Sequence, residues 1–142
     1  MRTLLGLLSV VVLLGMVAPA GAGLVTFDDL PGDHTRISAG YQGITWSSSF
    51  YYLNTSGHEA SGYCAGMVSS RNVAYNSLGY DVTVSAATPF VFNGAYFTGV
   101  WNDGLNIDIK GLLDGSEVYS TTVTVSSTAP TWVGLNWTNV TS

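Results

Sequence analysis

Between two turn signals, Asn102-Asp103-Gly104 and Asp114-Gly115, apolar Leu105, Ile107 and Ile109 alternate with polar Asn106, Asp108 and Lys110. A period of two places the two sets on opposite faces of an extended strand, whereas a helix would scatter them around its axis. The segment is predicted to be a strand with Ile107 and Ile109 buried and Asp108 and Lys110 exposed. Val133, Leu135 and Trp137 alternate in the same way, and no stretch after residue 23 carries a convincing 3.6-residue apolar period. Shorter apolar runs at 24–27, 43–46, 50–53, 81–86, 90–101 and 117–125 add strand candidates, with weaker ones at 66–69 and 72–75. Asn93-Gly94 inside the longest run reads as either a hairpin turn or a bulge. Short strands between regular turns, with little helix, predict an all-β antiparallel sandwich of at least seven strands.

The first 22 residues belong to another category. Arg2 follows Met1, the run 4–17 is almost wholly apolar, and Ala18-Pro19-Ala20 and Ala20-Gly21-Ala22 are overlapping small-x-small cleavage sites. These are the marks of a secretory signal peptide, too short and too cleavable for a membrane span. Residues 1–22 are therefore expected to leave, with a mature chain starting at Gly21 or Gly23, no transmembrane span after cleavage, and one domain over 23–142. The expected location is secreted, extracellular or at the cell surface.

Removal of Arg2 leaves Arg36, Arg71 and Lys110 against nine carboxylates. Nucleic acids and anionic membranes are bound by clustered Lys and Arg, so a nucleic-acid partner is excluded. Cys64 is the single cysteine, which rules out an intrachain disulfide. It reads as a buried, inert thiol or as a partner for a second chain.

Trp101-Asn102-Asp103-Gly104 is the most site-like phrase. An indole face packs on the apolar face of a sugar ring, and neighbouring amides and carboxylates bond its hydroxyls. Tyr51, Tyr52 and Trp132 would extend such a platform. The competing reading puts Trp101 in the core and makes Asn102-Asp103-Gly104 a plain turn. Asp28 and Asp29 could lend oxygens to a structural calcium ion, yet strand neighbours face opposite ways, so the pair equally reads as Asp28 capping its loop. Otherwise no cofactor is indicated.

Catalytic signatures are thin. Glu59 and Glu117 are the only glutamates and each has a solvent-compatible context, so the two facing carboxylates of a glycosidase are not evident. No G-x-S-x-G occurs, and His34 and His58 lack a zinc-ligand spacing. Asn54, Asn136 and Asn139 each begin an N-x-S/T sequon, meaningful only in a glycosylating source.

Ordered phrases run through most of residues 25–137. They are Thr26-Phe27-Asp28-Asp29-Leu30-Pro31, then Gly40-Tyr41-Gln42-Gly43-Ile44-Thr45-Trp46, then Phe50-Tyr51-Tyr52-Leu53. Ser61-Gly62-Tyr63, the stretches 66–70 and 72–76, Ala95-Tyr96-Phe97-Thr98 and Trp101-Asn102-Asp103-Gly104-Leu105 follow. Together these resemble a poorly characterised family of secreted β-sandwich domains from fungi, other microbial eukaryotes and bacteria. Some bacterial members carry a C-terminal surface-sorting segment of the PEP-CTERM kind. The resemblance implies a jelly-roll-like sandwich outside the cell without an established catalytic activity. It also implies a closing strand with an aromatic and an Asp-Asn pair, absent from this sequence. Such a sandwich would lack its C-terminal strand and leave 24–27 with an unpaired edge.

The functional expectation is a secreted, non-catalytic sandwich, not an enzyme, binding a glycan or cell-wall polysaccharide. The alternative is a structural or adhesive surface module without a small ligand. An exposed aromatic row beside Asn102 and Asp103 favours the first, and buried Trp101 and Tyr52 favour the second.

Overall fold

A computed structural model of the chain describes residues 23–142. The predicted signal peptide, with its cleavage point, lies outside the described residues apart from the Gly23 alternative at their edge. Nine strands follow in order: β1 (Thr35–Arg36), β2 (Thr45–Trp46), β3 (Phe50–Asn54), β4 (Asn72–Asn76), β5 (Val84–Ser85), β6 (Phe90–Phe97), β7 (Leu105–Leu113), β8 (Ser116–Val125) and β9 (Thr131–Val140). One helical turn, α1 (Gly62–Ala65), separates β3 from β4. The strands pair as β1-β3-β4, β2-β5, β6-β9 and β7-β8, every pair antiparallel. The fold is all-β and sandwich-like, as the alternation predicts. Among the described residues no helix is long and apolar enough to cross a membrane.

The β7-β8 hairpin follows its sequence closely. On its wet face Asp108 and Asn106 sit opposite Thr122 and Thr124 and accept their hydroxyl bonds at 2.6 and 2.7 Å. Lys110 donates to Glu117 at 2.8 Å on the same strands. The opposite face is less covered than predicted: Ile107 and Ile109 are half-buried and Leu105 is exposed, whereas Gly111 further along is buried. Period two says which face is apolar, but burying it takes a second layer. A Cβ added at Gly111 would meet Trp137 and Val140 of β9 and Tyr119 of β8, whose ring stacks on Trp137 at 5.2 Å.

The expected strand at 24–27 is not formed. Phe27 has φ 65°, a left-handed value that ends an extended run, and the chain turns so that Leu30 N–H bonds Phe27 C=O. Buried Asn72 holds this turn by donating Nδ2 to the carbonyls of Phe27 and Leu30 at 2.8 and 3.0 Å. Freed from a sheet, the Phe27 ring packs on Tyr41 and Trp46. The end of the described chain is tied elsewhere: Thr141 and Ser142 exchange backbone bonds with Leu112, and Thr141 C=O accepts from Ala86. Residues 66–69 form no strand, and 81–86 contributes only β5. Asn93-Gly94 is a bulge: the β6-β9 register shifts around it, with Gly94 at φ 147° and an added Cβ 2.2 Å from Val133 C=O.

The main core sits in the first half. Ile37, Trp46 and Tyr52 are buried together, with Val25, Phe27, Leu30, Tyr41, Ile44, Phe50, Ala74 and Val84 packed around them. Alternation along β3 sends Phe50 and Tyr52 into this core and Tyr51 and Leu53 to the other face.

Candidate functional site

That other face carries a continuous row of aromatic rings. Pairing sets Arg36 of β1 opposite Tyr51 of β3, and Tyr51 opposite Tyr75 of β4. Cross-strand neighbours on one face lie close enough for their side chains to touch. Arg36 lies over the Tyr51 ring at 5.9 Å, and Tyr51 and Tyr75 are 6.0 Å apart. Tyr75 meets Tyr63 of α1 edge-on at 5.4 Å, and Tyr63 meets Trp101 edge-on at 6.0 Å. His34 and His58 flank the row, 5.4 Å from each other, and touch Tyr75 and Tyr63 respectively.

Two glycines bring Trp101 to the end of this row. Gly62 N–H bonds Val100 C=O at 3.1 Å, and a Cβ on Gly62 would stand 2.0 Å from Gly99 C=O and 2.7 Å from Val100 Cα. A Cβ on Gly66 would meet the Thr98 side chain at 2.6 Å. Only with no side chain at these positions can α1 lie flat on the loop 98–104 and set Tyr63 beside Trp101.

Trp101 is 75% exposed, so it is not a core residue. Two shallow clefts open beside it. One, of about 360 Å³, lies between 59–62 and Val100, Ser127 and Thr128; the other, of about 340 Å³, runs along Gly57 to Ser61. Glu59 lines both, its carboxylate accepting from Gly57 N–H at 2.9 Å, and this bond holds it below the usual range and ionised. Burial pushes the Tyr63 and Tyr75 phenols up, with Tyr63, Tyr51 and Asp33 adding to the effect at Tyr75, so both remain O–H donors at neutral pH.

The residues singled out from sequence are divided by the fold. Trp101 and Tyr51 belong to the row. Exposed Asn102 adjoins Trp101. Asp103 is largely engaged in structure: it accepts from Ser127 N–H at 3.0 Å and Ser126 Oγ at 2.9 Å, which holds its carboxyl down and latches the turn to the end of β8. Tyr52 is a correction, because it is 3% exposed, lies in the main core and donates its hydroxyl to Pro31 C=O, out of a ligand's reach. Trp132 pairs with Tyr96 across β6-β9 at 5.0 Å, forming a separate exposed patch.

Asp28 and Asp29 have separate partners. Asp28 accepts from Ser70 and Arg71 N–H at 3.2 and 3.3 Å, tying its loop to the segment just before β4. Partial desolvation raises its carboxyl, but hydrogen bonds from Ser69, Ser70 and Asn72 outweigh this and leave it lowered. Asp29 accepts from Tyr41 Oη at 2.5 Å. Cys64 is half-buried on α1.

Sequence reasoning missed Tyr63, Tyr75 and the histidine flank. Alternation within 72–76 puts Tyr75 on one face with Val73, but the pairing that aligns it with Tyr51 is a long-range fact. No family model matches the chain, and no curated protein or solved structure matches it either.

Proposed function

We propose that the chain is a secreted, non-catalytic jelly-roll sandwich that binds a glycan at the cell surface or in the surrounding matrix. The observation that carries this is the exposed Trp101 face standing at the end of an aromatic row, with clefts on its flank. The exposed indole, met edge-on by Tyr63, offers a face for stacking on a pyranose. Asn102, Ser61, Ser127, Thr128 and ionised Glu59 offer hydrogen-bonding groups beside it. At about 360 Å³ the larger cleft falls at the low end of small-ligand sites, which run from roughly 300 to 1,000 Å³.

Two further observations support the reading. The hairpin β7-β8 nests inside the β6-β9 pair, an arrangement in keeping with a jelly roll. The N-terminal 22 residues read as a signal for export.

The test is a glycan array probed with the secreted protein. Trp101→Ala is expected to abolish binding with an unchanged far-UV spectrum, and Trp132→Ala to retain it. Equal binding by wild type and Trp101→Ala would overturn the proposal, as would an array with no glycan bound, the result expected of a purely adhesive or structural module.

A further inference from the structure

Beside the aromatic row, Asp33, His34 and His58 each offer one donor atom, and these atoms all lie within 4.8 Å of one another. We propose that this cluster is a binding site for a divalent transition metal of the zinc or copper class, a property independent of glycan recognition. Two imidazoles and one carboxylate are a donor set suited to zinc and copper, while calcium and magnesium call for all-oxygen cages.

The partners of each donor support the assignment. Asp33 Oδ1 accepts from His34 N–H at 3.0 Å and from Asn54 N–H at 2.9 Å, which fixes the carboxylate. Its other oxygen, Oδ2, stands 4.0 Å from His34 Nε2. His34 Nδ1 lies 3.1 Å from Tyr75 Oη. With Nδ1–H donating to that hydroxyl, the Nε2 lone pair is left free on the Asp33 side, and this is the hydrogen bond that orients a metal-bound histidine. His58 is presented by a tight turn in which its N–H bonds Thr55 C=O and its C=O accepts from Ser61 N–H, both at 3.0 Å. Its ring is braced between His34 and Tyr63.

A tetrahedral ion with ligands at about 2.0–2.2 Å sets donor atoms roughly 3.3–3.6 Å apart. The cluster therefore closes by about 1 Å on loading, through side-chain rotation of exposed Asp33 and His34 and half-buried His58. Three protein donors leave a fourth position for solvent. Binding would cross-link the segment before β1 to the loop 55–61, whose Gly57–Ser61 side forms the second cleft.

The experiment is a calorimetric titration of the purified secreted chain with Zn²⁺, paired with electron paramagnetic resonance of the Cu²⁺-loaded chain. One Zn²⁺ per chain is expected, with affinity lowered at least about tenfold by His58→Ala and by Asp33→Asn. Asp114→Asn, on the distant β7-β8 turn, should bind as wild type. The Cu²⁺ spectrum should show coupling to two nitrogen donors. Lack of saturable Zn²⁺ binding, or binding unchanged in folded His58→Ala, would overturn the site. A Cu²⁺ spectrum without nitrogen coupling in the wild type would do so even if every variant failed to fold.

Discussion

The two halves of this molecule use apolar residues in different ways. In the β6–β9 half the strands are long and the alternation is regular, yet Ile107, Ile109, Val133 and Leu135 are only half-buried, and deep burial comes only at the strand ends, at Val125 and Val140. In the first half the strands are two to five residues long, and there Ile37, Trp46 and Tyr52 disappear into a shared core. Regular patterning and deep burial are thus separate properties. A strand pair needs only its own ladder, while a core needs several irregular segments to converge. The aromatic row is assembled where the two halves meet: Tyr51, Tyr75 and Tyr63 come from the first half, and Trp101 from the loop between β6 and β7.

The sharpest way to break this comparison is to truncate one tryptophan in each half. Trp46→Ala removes a buried indole that touches Phe27 and Phe50 and donates Nε1–H to Tyr41 C=O. It should cost about 3–5 kcal/mol, and denaturant melts should find the chain largely unfolded. Trp132→Ala, half exposed against Tyr96, should cost about 1 kcal/mol. Equal losses would show that the β6–β9 half carries as much core as the first.

Gly62→Ala probes the junction. Its Cβ would need to displace the Gly99–Val100 backbone, and overpacking of that kind costs about 1–3 kcal/mol. Glycan binding should fall with it, and limited proteolysis should newly cut within 98–104. An unaffected Gly62→Ala would mean that α1 does not position Trp101.

Acid separates the halves more gently. The Asp28 and Asp103 carboxyls are both held below their ordinary value in the folded chain. Each therefore adds stability that is fully present above the unfolded value near 3.8 and is lost as pH falls through the lower folded value. Asp28→Asn and Asp103→Asn should each lower the melting temperature at neutral pH, with the gap to wild type closing as the pH falls below 3.8. Hydrogen exchange should place the loosening at 24–30 for the first and at 98–104 for the second.

The smallest effect is expected on the wet face of β7-β8. Lys110→Ala breaks an exposed ion pair with Glu117, and such pairs contribute little. No shift in melting temperature beyond experimental scatter should be seen, and a clear loss would mean that this hairpin depends on its polar face.

How much was legible follows from these contrasts. The hairpin Leu105–Val125 could be read because its information is local: two turns and a period of two. The expected strand at 24–27 could not, since Asn72, far along the chain, holds the turn at Phe27 that breaks it. Tyr51 and Tyr52 show the same limit within one dipeptide. Both looked suited to a sugar platform, and alternation alone guaranteed that they face opposite ways, but nothing local says which face is the core. The Trp101 phrase held two readings that local sequence could not separate; in the fold the indole is exposed and Asp103 is engaged as a turn latch.

By itself the sequence determined the β class, the polarity of the long strands and the scarcity of basic residues, because these depend on periodicity and composition within short windows. Only the tertiary structure decided that Tyr51, Tyr75, Tyr63 and Trp101 form one row, and that Asp33, His34 and His58 meet beside it. The physical reason is that strand register and loop docking are set by long-range pairing and by close backbone approach, here at Gly62 and Asn72, and neither leaves a periodic trace along the chain.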